Sequence, residues 1–297
     1  MPILFLAGII YHLVARKQIG ASFGFIYNQT WDLARFFFLF PVLLLMFVNW
    51  SFEALKWKTL TKPYYPMSFK HALQSCLSGI STALNTPNRI GDFIGKIAHL
   101  PNKYRQNGLH SSFYSSYSQG LITLIMGWIG WVYYGDRLIT NEAFKVAVSA
   151  IGFLGICLLI YVFFKRSEFN FIPKKWRQYL THSPHSTIKL KIFAYSFLRY
   201  LVFATQFYLL LRFMGINLGY ITVFLNITLF YLVTSFIPMA FWGEIGVKES
   251  VAVWVFSGLI FNSLIIVGTI LLLWLINLMI PSLIGNYFLL KKAYSKE

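Results

Sequence analysis

Phe236 to Ser250 reads FIPMAFWGEIGVKES, a proline, two glycines, two glutamates and a lysine set between the two longest uncharged tracts of the chain, Phe213 to Gly243 and Ser250 to Leu290. A fainter counterpart lies at Leu84 to Lys96, LNTPNRIGDFIGK. In each, a proline precedes a glycine-acid pair, and a lysine stands four residues after the acid: Pro87, Gly91, Asp92 and Lys96 against Pro238, Gly243, Glu244 and Lys248. If helix resumes after the glycines, acid and lysine meet on one face. The prolines free backbone groups, and Gly91, Gly243 and Gly246 let a ligand approach the chain closely. Such breaks expose helix-end N–H donors suited to a phosphate, and Arg89, Lys96 and Lys248 would add charge-assisted bonds to it.

Hydrophobic residues make 57% of the chain and charged residues 12%, which excludes an ordinary soluble domain. Ser111 to Gly135 and Val146 to Phe164 are also free of Asp, Glu, Lys and Arg. Crossing a hydrocarbon core takes about 20 helical residues, and Ser250 to Leu290 would be about 60 Å long as helix, so it must turn back. The prediction is an all-α, polytopic transmembrane helix bundle of about 7 to 9 apolar segments in one integral membrane domain over residues 1–297. The net charge of +17 falls between the apolar tracts, where it argues for membrane orientation and against nucleic acid. Cys76 and Cys157 have no CxxC or histidine partner at ligand spacing, so no disulfide framework, metal or cofactor is implied.

Along the chain, Pro2 to Ala15 reads as a short retained span and Phe36 to Phe52 as a second, kinked at Pro41. Glu53 to Lys70, with Lys56, Lys58, Lys62 and Lys70, reads as a cytoplasmic loop. Basic residues flank Phe69 to Leu100 on both sides, which predicts a re-entrant hairpin. Ser112 to Tyr134 and Val146 to Phe164 cross out and back to a loop, Lys165 to Lys191, with seven Lys or Arg against Glu168. Ile192 to Leu211 crosses outward again. Ile221 to Ile237 and Val247 to Phe261 fit either two full spans or a second hairpin dipping from outside, and Leu264 to Leu290 returns the C-terminus to the cytoplasm. Two hairpins entering from opposite faces would form a weak inverted repeat of broken helices in a multi-pass protein of the cytoplasmic membrane.

The chain has nine acids. Asp32, Glu53, Asp136, Glu142, Glu168 and Glu297 are assigned to connections or the tail, which leaves Asp92, Glu244 and Glu249 as candidates at membrane depth, where a charge costs about 2.5 to 3.5 kcal/mol even on permissive scales. Glu249 reads equally as a helix-start residue, and surface turns closed by solvated ion pairs are the plainer account of both motifs. Arg199 lies inside an apolar segment with Gln206 near the same face, placed either to contact a lipid phosphate from the bundle interior or to snorkel to the interface. Asn226 and Asn277 read as interhelical hydrogen-bonding residues. No GxSxG, HExxH, Walker or dinucleotide fingerprint occurs, so no enzyme is predicted; a glycosyltransferase or phosphatase using Asp92 and Glu244 is the open alternative.

TPNRIGDF, Thr86 to Phe93, resembles the TPGR-x-GE segment of the transmembrane region of lysylphosphatidylglycerol synthases, a flippase-like family. IPMAFWGEIGVKES, Ile237 to Ser250, resembles its later P-x-x-x-GG-x-G-x-RE segment, and NWSFEALKWKTL, Asn49 to Leu60, is similar to the stretch after an early span. Glu244 stands where the family commonly has a second glycine, and Lys248 where it has arginine. The resemblance implies lipid handling: members move aminoacylated phosphatidylglycerol between leaflets, and others are tied to polyprenyl-linked sugars or hopanoids. The expected partners are membrane lipids with anionic headgroups and no nucleic acid, with a homo-oligomer compatible. An enzyme or accessory subunit acting on lipid-linked sugars or hopanoids is the alternative. The soluble aminoacyl-transfer domain of the full synthases is not expected.

Overall fold

In the computed structural model the described residues are 36–84, 86, 89–135, 141–165, 184–237, 241–260 and 262–294, with only the backbone described at 241–245 and 293. The predicted span Pro2 to Ala15, Pro87, Pro238, Asp32, Asp136, Glu168, His182 and Glu297 lie outside them. The described residues form helices α1 (Leu39–Thr61), α2 (Phe69–Ala83), α3 (Gly91–Ala98), α4 (Arg105–Tyr134), α5 (Glu142–Phe164), α6 (Ser186–Phe213), α7 (Tyr220–Ser235), α8 (Phe241–Phe256), α9 (Ser263–Trp274) and α10 (Ile280–Tyr294). A π-helical turn, Leu275–Met279, joins α9 to α10. Among the described residues, four helical stretches are long and apolar enough to cross a membrane: α1, α5, α6 and Ser263–Lys292. The protein is a helical membrane bundle. In α5 only Phe163 is buried, so its apolar surface faces outward, as a lipid-facing span requires.

α2 and α3 fold back on each other as a short hairpin. Ser78 Oγ lies 2.8 Å from His99 Nε2, and Thr82 Oγ1 donates to the Gly91 carbonyl at 2.6 Å, pairings that fix an antiparallel register. Close approach depends on missing side chains: a Cβ on Gly91 would strike the Thr82 carbonyl, and one on Gly95 the Ser78 carbonyl. This is the small-residue packing that lets helices associate where lipid supplies no hydrophobic drive. Gly285 of α10 meets the Leu77 carbonyl in the same way and seats α10 on α2. Eight residues of α3 span roughly 12 Å, too short to cross a core of about 30 Å. The hairpin enters and leaves on one side.

α7 and α8 have 16 residues each, roughly 24 Å, and form a second hairpin. Gly127 of α4 packs on Leu232 and Gly130 on Thr228, so α7 descends beside α4 from the end marked by Tyr134. Phe256 at the end of α8 stacks near Phe207, and Gly268 of α9 touches Met214, which returns α8 to the end where α7 began. Of the two arrangements the sequence left open, the dipping hairpin is the one formed. The ends of the bundle are equally defined. Leu60, Tyr114, Phe163 and Ile192 cluster where α1 and α5 finish and α4 and α6 start. Tyr64 bonds Ser111, and Lys292 Nζ donates to the Ala98 carbonyl, placing the C-terminal helix at that same basic end. α2–α3 therefore enters from the basic end and α7–α8 from the opposite one.

Two boundaries and one expected kink differ from expectation. The polar loop predicted from Glu53 to Lys70 is instead helical as far as Thr61: Glu53 and Lys56 pair at 3.1 Å and face the interior, so their charge does not end the helix. Pro41 falls in the first turn of α1, where a missing N–H breaks no helical bond. The basic loop ending at Lys191 stops at Ser186, and Lys189 is buried 5.7 Å from the Tyr114 ring and 5.9 Å from Phe163. Both cysteines are free, Cys76 buried and Cys157 exposed.

Hairpin packing makes a direct prediction. Gly95→Val forces α3 off α2 and should cost about 1 to 3 kcal/mol, the usual penalty for overpacking. Ile94→Val, at a side chain 55% exposed, should leave thermal stability nearly unchanged. Melting curves of the purified variants, followed by fluorescence-detected size exclusion, compare the two.

Candidate functional site

Glu53 is the centre of the polar interior. Its side chain is 6% exposed, and its carboxylate accepts Lys96 Nζ at 2.7 Å on one oxygen and Arg199 Nη1 at 2.6 Å and Lys56 Nζ at 3.1 Å on the other. Ser115 Oγ lies 3.5 Å from the first oxygen. Lys96 also pairs with Asp92 at 2.7 Å, the i,i+4 contact of the first motif. Arg199 Nε donates to Asn49 Oδ1 at 2.8 Å, and Asn49 Nδ2 reaches Asn277 Oδ1 at 3.4 Å. Asn277 lies in the π-helical turn, and its own amide donates to the Leu273 carbonyl at 3.2 Å. Five elements, α1, α3, α4, α6 and the π turn, thus meet through side-chain hydrogen bonds.

The turn of the first hairpin is built by hydroxyls and strain. Thr86 Oγ1 accepts the Gly91 N–H at 2.7 Å, and Arg89 takes φ +57°, a left-handed conformation uncommon outside glycine. A cavity of about 600 Å³ opens beside the charges. Its wall includes Trp50, Glu53 and Lys56 of α1, Arg89, Asp92 and Phe93 of the first hairpin, Arg199, and Ser115, Ser116, Gln119 and Thr123 of α4. Ser235 and Phe236, where the second hairpin turns, complete it. From the basic end, Glu53 is roughly 12 Å along α1, Ser115 roughly 15 Å along α4 and Arg199 roughly 20 Å along α6. These depths are about a third to a half of the way along each helix, well inside the bundle. The cavity wall carries three cations, Lys56, Arg89 and Arg199, against two carboxylates, Glu53 and Asp92, while Lys96, which does not line it, pairs with both carboxylates.

The residues singled out in the sequence divide into groups. Arg89, Asp92 and Arg199 come together in the cavity wall, Lys96 pairs with Asp92 without lining the cavity, and Gly91 supports them from within the hairpin. Pro87 and Pro238 lie outside the described residues, as do the surroundings of Gly243 and Glu244 in the first turn of α8. Gly246, with φ +104°, interrupts α8, and its N–H donates to Glu249 Oε2 at 2.5 Å. That is the reach-back half of a capping box, so Glu249 restarts the helix after the break. Gly246, Lys248 and Glu249 are not among the cavity-lining residues. Glu53, assigned to a loop by the sequence, is the residue that reasoning missed. The signal was present in the spacing Asn49, Glu53, Lys56, which marks one helical stripe while Trp50, Ala54 and Trp57 mark the core. Asn226 donates to Thr222 on its own helix.

Removing one partner of a buried ion pair costs about 3 to 5 kcal/mol because the other charge is left uncompensated. Glu53→Gln should therefore lower thermal stability far more than Asp92→Asn, whose side chain is 23% exposed. Adding Lys56→Met to Glu53→Gln should recover part of the loss, since Lys56 pairs with Glu53 whereas Lys96 keeps Asp92, and a double-mutant cycle on melting temperature measures the coupling.

The family model described as the lysylphosphatidylglycerol synthase TM region matches residues 3–285. No curated protein matches the sequence. With nearly the whole chain matched and a helical membrane bundle to carry it, the protein belongs to the lysylphosphatidylglycerol synthase TM region family.

Proposed function

We propose that this protein translocates a lipid with an anionic headgroup across the cytoplasmic membrane, with the basic end and the C-terminus facing the cytoplasm. The observation that carries the reading is a cavity of about 600 Å³ inside the bundle, walled by the tips of two opposed hairpins and lined by more cations than carboxylates. A charged headgroup pays a large desolvation cost in hydrocarbon. The cavity offsets that cost with Arg89 and Arg199 while Phe93, Leu124 and Phe236 give the acyl chains an apolar wall. The family's connection with membrane lipids supports the same reading. No nucleotide-binding loop occurs in the sequence, so movement is downhill or coupled to an ion or proton gradient.

A leaflet-resolved assay in proteoliposomes with headgroup-labelled anionic lipid tests it. Wild-type protein should accelerate exchange between leaflets, and Arg89→Gln with Arg199→Gln should slow it by about tenfold or more, the loss expected for hydrogen bonds to a charged group. An unchanged rate in a variant that still migrates as a folded species rules the site out.

A further inference from the structure

We infer that a cleft between α4 and α5, at the end of the bundle opposite the basic one, binds a phospholipid whose headgroup carries a primary ammonium beside its phosphate, as phosphatidylethanolamine does. The cleft shares no residue with the central cavity and does not depend on the translocation reading. It has a volume of about 520 Å³ and is walled by Trp128 and Val132 of α4 and by six residues of α5 between Glu142 and Phe153. Its floor is fixed by two indoles. Trp128 Nε1 donates to the Ser149 carbonyl at 3.1 Å and Trp131 Nε1 to Ser149 Oγ at 2.9 Å, while the Trp128 ring leans on Phe153 with centroids 5.4 Å apart. A Cβ on Gly152 would meet that ring at 3.3 Å, so glycine lets the indole lie close against α5.

The dimensions and the order of charges name the occupant. From Glu142 to Phe153 the helix rises roughly 16 Å, about half of a hydrocarbon core of about 30 Å. That is the depth of one leaflet. It suits a single lipid and is too short for a partner span, which must be followed across the whole core. Paired tryptophans belong at the membrane–water boundary, with the polar rim above them and an acyl chain beside Val146 and Phe153, both exposed, below. On the rim, Glu142 stands in the first turn of α5 and Lys145 lies roughly 4.5 Å deeper on the same face. The headgroup of phosphatidylethanolamine has the complementary order, phosphate next to the chains and ammonium two carbons farther out. Phosphate at Lys145 and ammonium at Glu142 therefore meet opposite charges without inverting the lipid. A primary ammonium also donates hydrogen bonds to the carboxylate, which a trimethylammonium cannot, and a glycerol headgroup brings no cation to Glu142.

Native mass spectrometry of the full chain in phosphatidylglycerol nanodiscs, titrated with phosphatidylethanolamine or phosphatidylcholine, tests the site. Phosphatidylethanolamine should be retained about threefold to tenfold more tightly than phosphatidylcholine, the range for one hydrogen bond, with a single lipid per chain. Ala150→Trp, at an exposed position on the cleft wall, should abolish that retention by filling the cleft while lipid exchange through the central cavity stays unchanged. Glu142→Gln should bring phosphatidylethanolamine down to the level of phosphatidylcholine. Exchanging the charges, Glu142→Lys with Lys145→Glu, keeps the net charge and should also lose the preference. Equal retention of the two lipids by the wild type overturns the inference without needing any variant. So does undiminished retention in Ala150→Trp, or an intact preference in the charge-exchanged chain. If the spectra show a wild-type dimer that Ala150→Trp converts to monomer with no loss of lipid, the cleft is a contact between copies and the lipid site is overturned.

Discussion

A carboxylate in the middle of a hydrocarbon layer survives only if cations come to it, and in this protein three of them come from different places. Lys56 rises one turn along the same helix, Lys96 arrives from a hairpin, and Arg199 crosses from α6. Each is itself too costly to bury alone. Glu53 cannot be removed without leaving Lys56 and Arg199 short of their carboxylate, so it fixes the positions of α1, α3 and α6 together. The hairpin gains most from this. Eight residues of α3 cannot hold a place in the bilayer by apolar area alone, and Lys96 ties it to the buried Glu53 of α1 while glycines tie it to α2.

Backbone proximity and charge pairing therefore act as one device. Gly79, Gly91 and Gly95 allow α2 and α3 to touch, and a Cβ at Gly79 would meet the Asp92 carboxylate at 2.5 Å. The same glycine that closes the hairpin thereby leaves room for the acid that holds Lys96. On the far side, α10 is seated on α2 by Gly285, and the π turn before it brings Asn277 to Asn49. A π turn adds a residue within a helix and releases a carbonyl from regular bonding. The Asn277 amide takes the Leu273 carbonyl while its oxygen turns to Asn49, so an irregularity in one helix steadies an arginine on another.

Much of this could be read from the chain before its folding was known, because charge in an apolar sequence is conspicuous. Asp92, Lys96, Arg89 and Arg199 stood out by scarcity, and the flanking lysines placed the first hairpin. Glu53 escaped because a residue next to an apolar tract was taken to lie beyond it. Counting uncharged residues measures where a helix has no charge, which differs from where it ends: α1 continues for more than two turns past Phe52, with its charged stripe turned inward. Thr82, Thr86 and the cavity strip of α4 were equally hidden, since hydroxyls in a membrane helix satisfy themselves on backbone carbonyls and give no periodic signal until a neighbour approaches. The near match of the two motifs was legible, but their outcomes differ in kind. The first turns at Arg89 and feeds the cavity, whereas the second is broken at Gly246 and restarted by Glu249.

That asymmetry bears on why the helices are interrupted at all. Continuous spans on both sides would bury the ion pairs completely and leave no volume between them. Hairpins that stop near mid-depth from opposite faces leave a gap at their tips, and the gap takes its polarity from whichever residues the tips carry. Here one tip supplies Arg89 and Asp92, and the other Ser235 and Phe236. The charged side is rigid, pinned by Glu53, and the apolar side is a turn with Phe236 71% exposed. On the translocation reading, the headgroup is held against fixed charge while its tails pass over the less constrained wall. A phosphate entering a site lined by more cations than carboxylates need displace neither carboxylate, so the pairs that hold the bundle together stay closed while the ligand is bound.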